Sequence, residues 1–259
     1  MTSQRVPSEH AELRQEVIAK RRCCLTDRRP TILVVDDEEA LRYILRVRLT
    51  ARGYLIHEAG TGEVVLQTVP VLRPDVIVLD IGLPDIDGIE VTRRLRPLVQ
   101  TPIIILSVHA TEADKIAALD AGADDYLTKP CDLGDLLDRI RTALLRVALQ
   151  DERVFALGDL VVDLGRQMVQ IGEDPIQLTA TEYDLLRVLV LNAGRLLTQS
   201  RLAQEVWRER SDEDALQMLR TTINTLRQKL DTNPARPRFI VLEPGVGYRL
   251  RIAPSISPA

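Results

Sequence analysis

Three short apolar runs punctuate the first half of the chain: TILVV (31–35), DVIVL (75–79) and PIIIL (102–106). They are rich in β-branched residues and show no polar alternation. That pattern suits strands buried on both faces of a parallel sheet. Weaker strands fit 54–58 and 124–127. Between and after them, helical periodicity predicts helices at 38–51, 62–69, 87–96, 112–121 and 132–147. Five strands alternating with five helices predict a doubly wound α/β domain over 31–147. Right-handed crossovers then leave few topologies.

After a short polar stretch, ALQDER (148–153), the alternation stops. Segment 154–178 reads as short strands broken by Gly158, Gly165 and the turn Gly172, Glu173, Asp174, Pro175. Thr179 stands three residues before Glu182, the spacing of a helix capping box, with Leu178 placed as its hydrophobic staple. The helix so started should end at Gly194. A second helix fits 198–206. A third, near 213–230, carries Leu216, Leu219, Ile223, Leu226 and Leu230 on one stripe. FIVLEPGVGYRLRI (239–252) reads as a hairpin turning at 244–247. A small sheet, three helices and a terminal hairpin predict an α+β winged helix-turn-helix domain over 154–252. Residues 1–30 lack sustained periodicity and are expected to form a flexible extension, with 253–259 as a tail.

Composition sharpens this picture. No apolar run approaches the roughly 20 residues that span a membrane. The N-terminus is charged where a secretion signal would be apolar. A cytoplasmic protein with no membrane partner is expected. Of three cysteines, Cys23 and Cys24 are adjacent and Cys131 is alone, so neither a zinc knuckle nor a disulfide framework is suggested. Charge is uneven: 31–147 holds 19 acidic against 13 basic residues, whereas 215–251 holds 2 against 7. A basic stretch becomes a nucleic-acid footprint only with a motif behind it.

The acidic half carries its own chemistry. Ligands of a doubly wound sheet bind beyond the C-terminal ends of the strands. There the runs end on Asp36–Asp37, Asp80 and Ser107, and the last strand leads into Lys129–Pro130. Three converging carboxylates repel one another. A hard divalent cation such as Mg²⁺ relieves that repulsion through oxygen ligands. A carboxylate so placed can act as nucleophile toward a phosphoryl group, with the metal and a lysine neutralising charge on the transferred oxygens. Gly60–Thr61–Gly62 looks like the start of a dinucleotide fingerprint, but it lacks a third glycine and reads better as a helix-start loop.

The segments DDE (36–38), VLDIGLPDIDG (78–88), ILS (105–107) and GADDYLTKP (122–130) resemble the flavodoxin-like receiver domain of two-component response regulators. The resemblance implies that Asp80 accepts a phosphoryl group from a sensor histidine kinase. It implies that Asp37, Asp80 and the carbonyl of Gly82 bind Mg²⁺ directly, with Asp36 acting through water. Lys129 would contact the phosphoryl group, before a cis bond to Pro130. Ser107 and an inward-turning Tyr126 would form the switch. Two positions depart from the family: Cys131 replaces a common Phe, and Val108 a usual Ala. A phosphatase using Asp80 would commonly carry an acid two residues on, where this chain has Gly82, so an enzyme is not expected.

LTATEYDLLRVLVLNAGRLLTQSRL and the closing GVGYRL resemble the winged-helix domains of the OmpR/PhoB family. The resemblance implies promoter DNA, RNA polymerase and a phosphorylation-dependent homodimer as partners. By position, Thr221, Asn224 and Thr225 would meet base edges, beside Thr222. Arg220, Arg227 and Arg249 would meet phosphates. Dimer contacts would pair Lys115 with Asp135 and Asp125 with Arg139 across a two-fold axis. DKIAALDAGADDYL (114–127), GLPD (82–85) and NPARPRFI (233–240) are most similar to regulators of potassium-transport genes.

Overall fold

The structure, a computed structural model, describes residues 28–108, 111–148, 154–208, 210–231, 233 and 237–252. Most of the expected N-terminal extension, the linker from residue 149 and the tail lie outside the described residues.

In the first half, strands β1 (Thr31–Val35), β2 (Leu55–Ala59), β3 (Val76–Leu79), β4 (Ile103–Ser107) and β5 (Asp125–Thr128) alternate with five helices. These are α1 (Glu39–Thr50), α2 (Gly62–Leu72), α3 (Gly88–Leu95), α4 (Glu112–Asp120) and α5 (Leu133–Ala148). The sheet is parallel, in the order β2-β1-β3-β4-β5. That is the flavodoxin-like winding. Burial on both faces follows from the apolar runs. Leu33, Val35, Ile77, Leu79, Ile103 and Ile105 pack with residues of α2, α3 and α4. Their neighbours Ile32, Val34, Val76, Val78, Ile104 and Leu106 pack with residues of α1 and α5. Each such side chain contributes roughly 1.5–3 kcal/mol when fully buried.

Two local devices hold the strand ends open for chemistry. Gly88 opens α3 directly under β3, where an added Cβ would fall 2.2 Å from the Asp80 carbonyl oxygen. Asp85 accepts hydrogen bonds from the backbone N–H groups of Gly62 (2.8 Å) and Glu63 (2.9 Å), capping α2 from a different loop. Thr61 is the N-cap residue of that helix, so Gly60–Thr61–Gly62 is a helix-start loop. The sequence reading stopped α2 at residue 69, before Pro70. The helix instead runs to Leu72 with Pro70 inside. A proline costs the helix its own N–H bond and crowds the carbonyl four residues back, yet the last turn still closes, with the Arg73 N–H donating to Val69 O at 2.9 Å.

In the second half, β6 (Val154–Leu157), β7 (Leu160–Asp163), β8 (Met168–Ile171) and β9 (Asp174–Pro175) form an antiparallel sheet in chain order. Helices α6 (Ala180–Leu191), α7 (Gln199–Val206) and α8 (Asp212–Leu230) follow. The capping box forms in both directions: Thr179 Oγ1 accepts from Glu182 N at 3.3 Å, and Glu182 Oε2 accepts from Thr179 N at 2.7 Å. Helix α6 ends at Leu191 rather than at Gly194. The Gly194 N–H is turned away to the Leu250 carbonyl at 2.7 Å. A second sheet joins β10 (Leu197–Thr198), β12 (Gly247–Leu250) and β11 (Ile240–Glu243) in that order, with β11–β12 as the expected hairpin. The two-residue β10 was not anticipated. It pairs so closely with β12 that an added Cβ at Gly247 would fall 1.8 Å from Leu197 O.

Candidate functional site

The C-terminal edge of the parallel sheet gathers the predicted acidic pocket. Asp36, Asp37 and Asp80 bring carboxylate oxygens within 4.8 Å of one another. Asp36 and Asp80 are buried and Asp37 is exposed. Lys129 Nζ donates to Asp36 Oδ2 at 2.6 Å and to Asp80 Oδ2 at 2.7 Å. Burial pulls the Lys129 ammonium toward neutrality, but hydrogen bonds and charge from Asp36 and Asp80 outweigh it and hold it above the usual lysine value. Arg42 steadies the β1 end by donating to the carbonyls of Asp36 (2.6 Å) and Asp37 (3.0 Å). The bond from Lys129 to Pro130 is cis.

This donor set fits Mg²⁺. Three carboxylates face a single lysine, so one further cation is needed to balance them, and the ligands are all oxygen. Gly82, exposed beside Asp80, presents no side chain to block approach. Ser107 is fully buried at the end of β4. It shares a hydrogen bond with Tyr126, whose phenol is pushed up chiefly by burial. Tyr126 is thus already turned inward. Val108, the next residue, is 67% exposed. Cys131 is a half-buried free thiol packed against the α1–α5 side of the core.

Helix α8 buries Ala215, Leu219, Ile223, Leu226 and Leu230. Its outer side presents Arg220, Thr221, Asn224 and Gln228 to solvent, with Thr222 and Thr225 half-buried. The hydroxyls of Thr221, Thr222 and Thr225 donate to carbonyls four residues back, at 3.1, 2.8 and 3.1 Å. Each keeps an acceptor oxygen for a base edge. Two arginines depart from the expected open arrangement. Arg227 donates twice to Ile240 O, at 3.1 and 2.8 Å, and lies over the Tyr248 ring. Its guanidinium ties α8 to the hairpin. Arg249 is buried and makes two 2.6 Å bonds to the Asp125 carboxylate, plus one to Gly194 O at 2.8 Å. It faces the first half of the chain, not an open DNA surface. The sequence reading missed this because the partners lie 124 residues apart.

The expected dimer residues fall on one face. Lys115 lies on α4, Asp125 opens β5, and Asp135 and Arg139 lie on α5. Arg139 Nη1 approaches Asp125 Oδ2 at 3.3 Å within the same chain, where a cross-axis pair was expected. Burial alone would raise the Asp125 carboxyl, but Arg249 and Arg139 hold it below the usual range. Neighbouring Asp124 collects Arg96, Arg146 and Arg195 at 3.0, 2.8 and 2.7 Å. Burial brings the Arg195 guanidinium down to about 10, so it remains a cation at neutral pH.

Residues 32–141 match the family model described as response regulator receiver domain, and 172–250 match transcriptional regulatory protein, C terminal. The KDP operon transcriptional regulatory protein KdpE of Escherichia coli is 44% identical over 223 residues, 85% of this chain and 99% of that protein. The transcriptional regulatory protein KdpE of Mycobacterium tuberculosis is 39% identical over 222 residues, 84% of this chain and 97% of that one. The solved structure of response regulator DrrB, a Thermotoga maritima OmpR/PhoB homolog, is 29% identical. It aligns with a TM-score of 0.46 over 86% of this chain and 99% of that chain.

Proposed function

The chain belongs to the OmpR/PhoB family of response regulators, a family of transcription regulators, and from that membership we propose that phosphorylation of Asp80 by a sensor histidine kinase drives it to dimerise and bind promoter DNA. The observation that carries the reading is the bridge of Lys129 between Asp36 and Asp80, beside Asp37 and one strand from Ser107. We assign residues 31–147 to the receiver, 154–252 to the DNA-binding domain and the stretch between to a linker, in a cytoplasmic protein.

A carboxylate oxygen of Asp80 attacks the phosphorus of a phosphohistidine. A P–O bond forms, the P–N bond breaks, and the departing imidazole nitrogen takes up a proton. Asp36, Asp37, Asp80 and the Gly82 carbonyl would hold Mg²⁺, which supplies charge neutralisation for the phosphoryl oxygens. Lys129 then exchanges its bond to the Asp80 carboxylate for one to a phosphoryl oxygen, and Ser107 hydrogen-bonds the product. Tyr126, already packed inward on Ser107, keeps β5 in the phosphorylated arrangement. The α4–β5–α5 face serves as the dimer surface. On DNA, Thr221, Asn224 and Thr225 read bases while Arg220 pairs with phosphate; RNA polymerase is the downstream partner. The Kdp relatives support potassium-uptake genes as targets.

Intact mass after acetyl phosphate and Mg²⁺ tests the acceptor. The wild-type chain should gain one phosphoryl group and Asp80→Asn none. An Asp80→Asn protein that gained the same mass would end the assignment.

A further inference from the structure

The three carboxylates of the acidic pocket are not held alike. Asp36 is fixed through its own side chain: Oδ1 accepts from the Glu38 N–H at 3.0 Å and Oδ2 from Lys129 Nζ at 2.6 Å. Asp80 is buried. Its Oδ2 accepts from the same ammonium at 2.7 Å, and its N–H donates to Val35 O at 2.9 Å. Asp37 has neither device. It is exposed, and among the described residues no group donates to its carboxylate.

What fixes Asp37 is its backbone. The peptide planes on either side of its Cα carry the carbonyls of Asp36 and Asp37. One nitrogen of Arg42, Nη1, takes both, at 2.6 and 3.0 Å. A residue has only two soft backbone dihedrals, so pinning both planes to one point leaves Asp37 little freedom and sets the direction of its Cα–Cβ bond. The sheet does not do this. The parallel ladder of β1 and β2 closes at Val35 and Ala59, and Asp36 O lies past its end. Arg42 reaches back because it stands in the first turn of α1, its N–H closing on Glu38 O at 3.1 Å, and helical side chains lean toward the N-terminus. A cation in that turn opposes the helix dipole, so helix stability does not explain the residue. Its side chain is 17% exposed, and Glu58 Oε2 on β2, 3.8 Å from its Nε, supplies a counter-charge.

We propose that Arg42 is a positioning residue for Mg²⁺: by clamping the backbone around Asp37 it aims the one carboxylate of the three not anchored through its own side chain, and so sets the affinity of the pocket for the metal. The inference rests on the reading of Asp36, Asp37 and Asp80 as the Mg²⁺ site. Arg42 acts through Asp37 rather than on the reacting atoms. Without the clamp, the Asp37 carboxylate takes many directions and binding must restore the productive one. That loss of preorganisation weakens metal binding and leaves phosphoryl transfer unaltered once the metal is bound. A lysine replaces Arg42 only in part, because an ammonium lacks the fixed planar fork.

Isothermal titration calorimetry of Mg²⁺ into the full-length chain tests this. Beside it, intact mass follows phosphoryl uptake from acetyl phosphate over a series of Mg²⁺ concentrations. Arg42→Met, which removes the donors, should bind Mg²⁺ on the order of tenfold more weakly than wild type, the lower end of what losing an outer partner costs a metal site. The Mg²⁺ concentration for half-maximal labelling should rise by the same factor. The rate at saturating Mg²⁺ should stay near wild type, as when only uniform binding is lost. Arg42→Lys should fall between the two. Thermal midpoints in EDTA establish that each variant is folded. Wild-type Mg²⁺ affinity in Arg42→Met would overturn the proposal and leave Arg42 as a packing residue. So would a fall in the saturating rate at an unchanged half-maximal concentration, since Arg42 would then act on transfer itself. Should Arg42→Met fail to fold, wild-type affinity in Arg42→Lys decides against the proposal and a weakened one for it. A wild-type chain that binds Mg²⁺ yet takes up no phosphoryl group would end the signalling reading, while calorimetry still reports on Arg42.

Discussion

A side chain at position 108 could stand above the phosphoryl site or pack in the core under α4. Its exposure of 67% removes the core. It follows Ser107, whose carbonyl accepts from the Lys129 N–H at 2.7 Å at the end of β4, in a position where family members usually carry Ala. Valine adds two methyl groups on a stiff first torsion. Hydrolysis of an aspartyl phosphate needs water in line with the breaking bond, and misplacing a reactant by about 1 Å can cost on the order of 100-fold. Val108→Ala should therefore lose its phosphoryl group several-fold faster, within that bound, with the thermal midpoint unchanged. A lowered midpoint with unchanged decay would make Val108 a packing residue after all. At this scale the pocket was largely legible. Asp36, Asp37, Asp80 and Ser107 each end an apolar run, so their convergence follows from the topology alone. Asp85 was not legible as a cap, because the N–H groups it accepts belong to Gly62 and Glu63, in another loop.

Helix α8 and the hairpin show how far an element can be read from its own pattern. The stripe of Leu219, Ile223, Leu226 and Leu230 fixed which side is buried, and thereby which side is left to solvent. The pattern could not say that Arg227 leaves that outer side for Ile240 O and the Tyr248 ring. Nor could it reveal β10, whose Thr198 read as the first residue of the following helix. The corrected geometry separates two variants. Asn224→Ala should relax preference at one base position, costing about 1–3 kcal/mol against the preferred base alone. Arg227→Ala should loosen the wing and lower the thermal midpoint as well as weakening all sequences alike. Competition binding with single-base operator variants, alongside thermal denaturation, distinguishes them. A uniform loss in Asn224→Ala, or an unchanged midpoint in Arg227→Ala, would contradict these roles.

Over the whole molecule, both folds follow from hydrophobic period: continuous runs for the parallel sheet, a capping box and 3.6-residue stripe for the winged helix. Their mutual arrangement does not. Asp125–Arg249 and Asp124–Arg195 join residues far apart in the chain, and no local pattern marks either pair. The charge asymmetry was visible, but Arg249 of the basic stretch meets Asp125 of the acidic half rather than a nucleic acid. We propose that one phosphoryl group on Asp80 converts a monomer into a DNA-binding dimer. Sedimentation velocity of the full-length chain with acetyl phosphate and Mg²⁺, read beside intact mass, tests it most directly. Wild-type should shift from monomer to dimer as the phosphoryl mass appears, while Asp80→Asn stays monomeric and unlabelled, and Arg139→Glu is labelled but pairs weakly. Wild-type protein that carries the phosphoryl group and still sediments as a monomer would rule out phosphorylation-driven pairing.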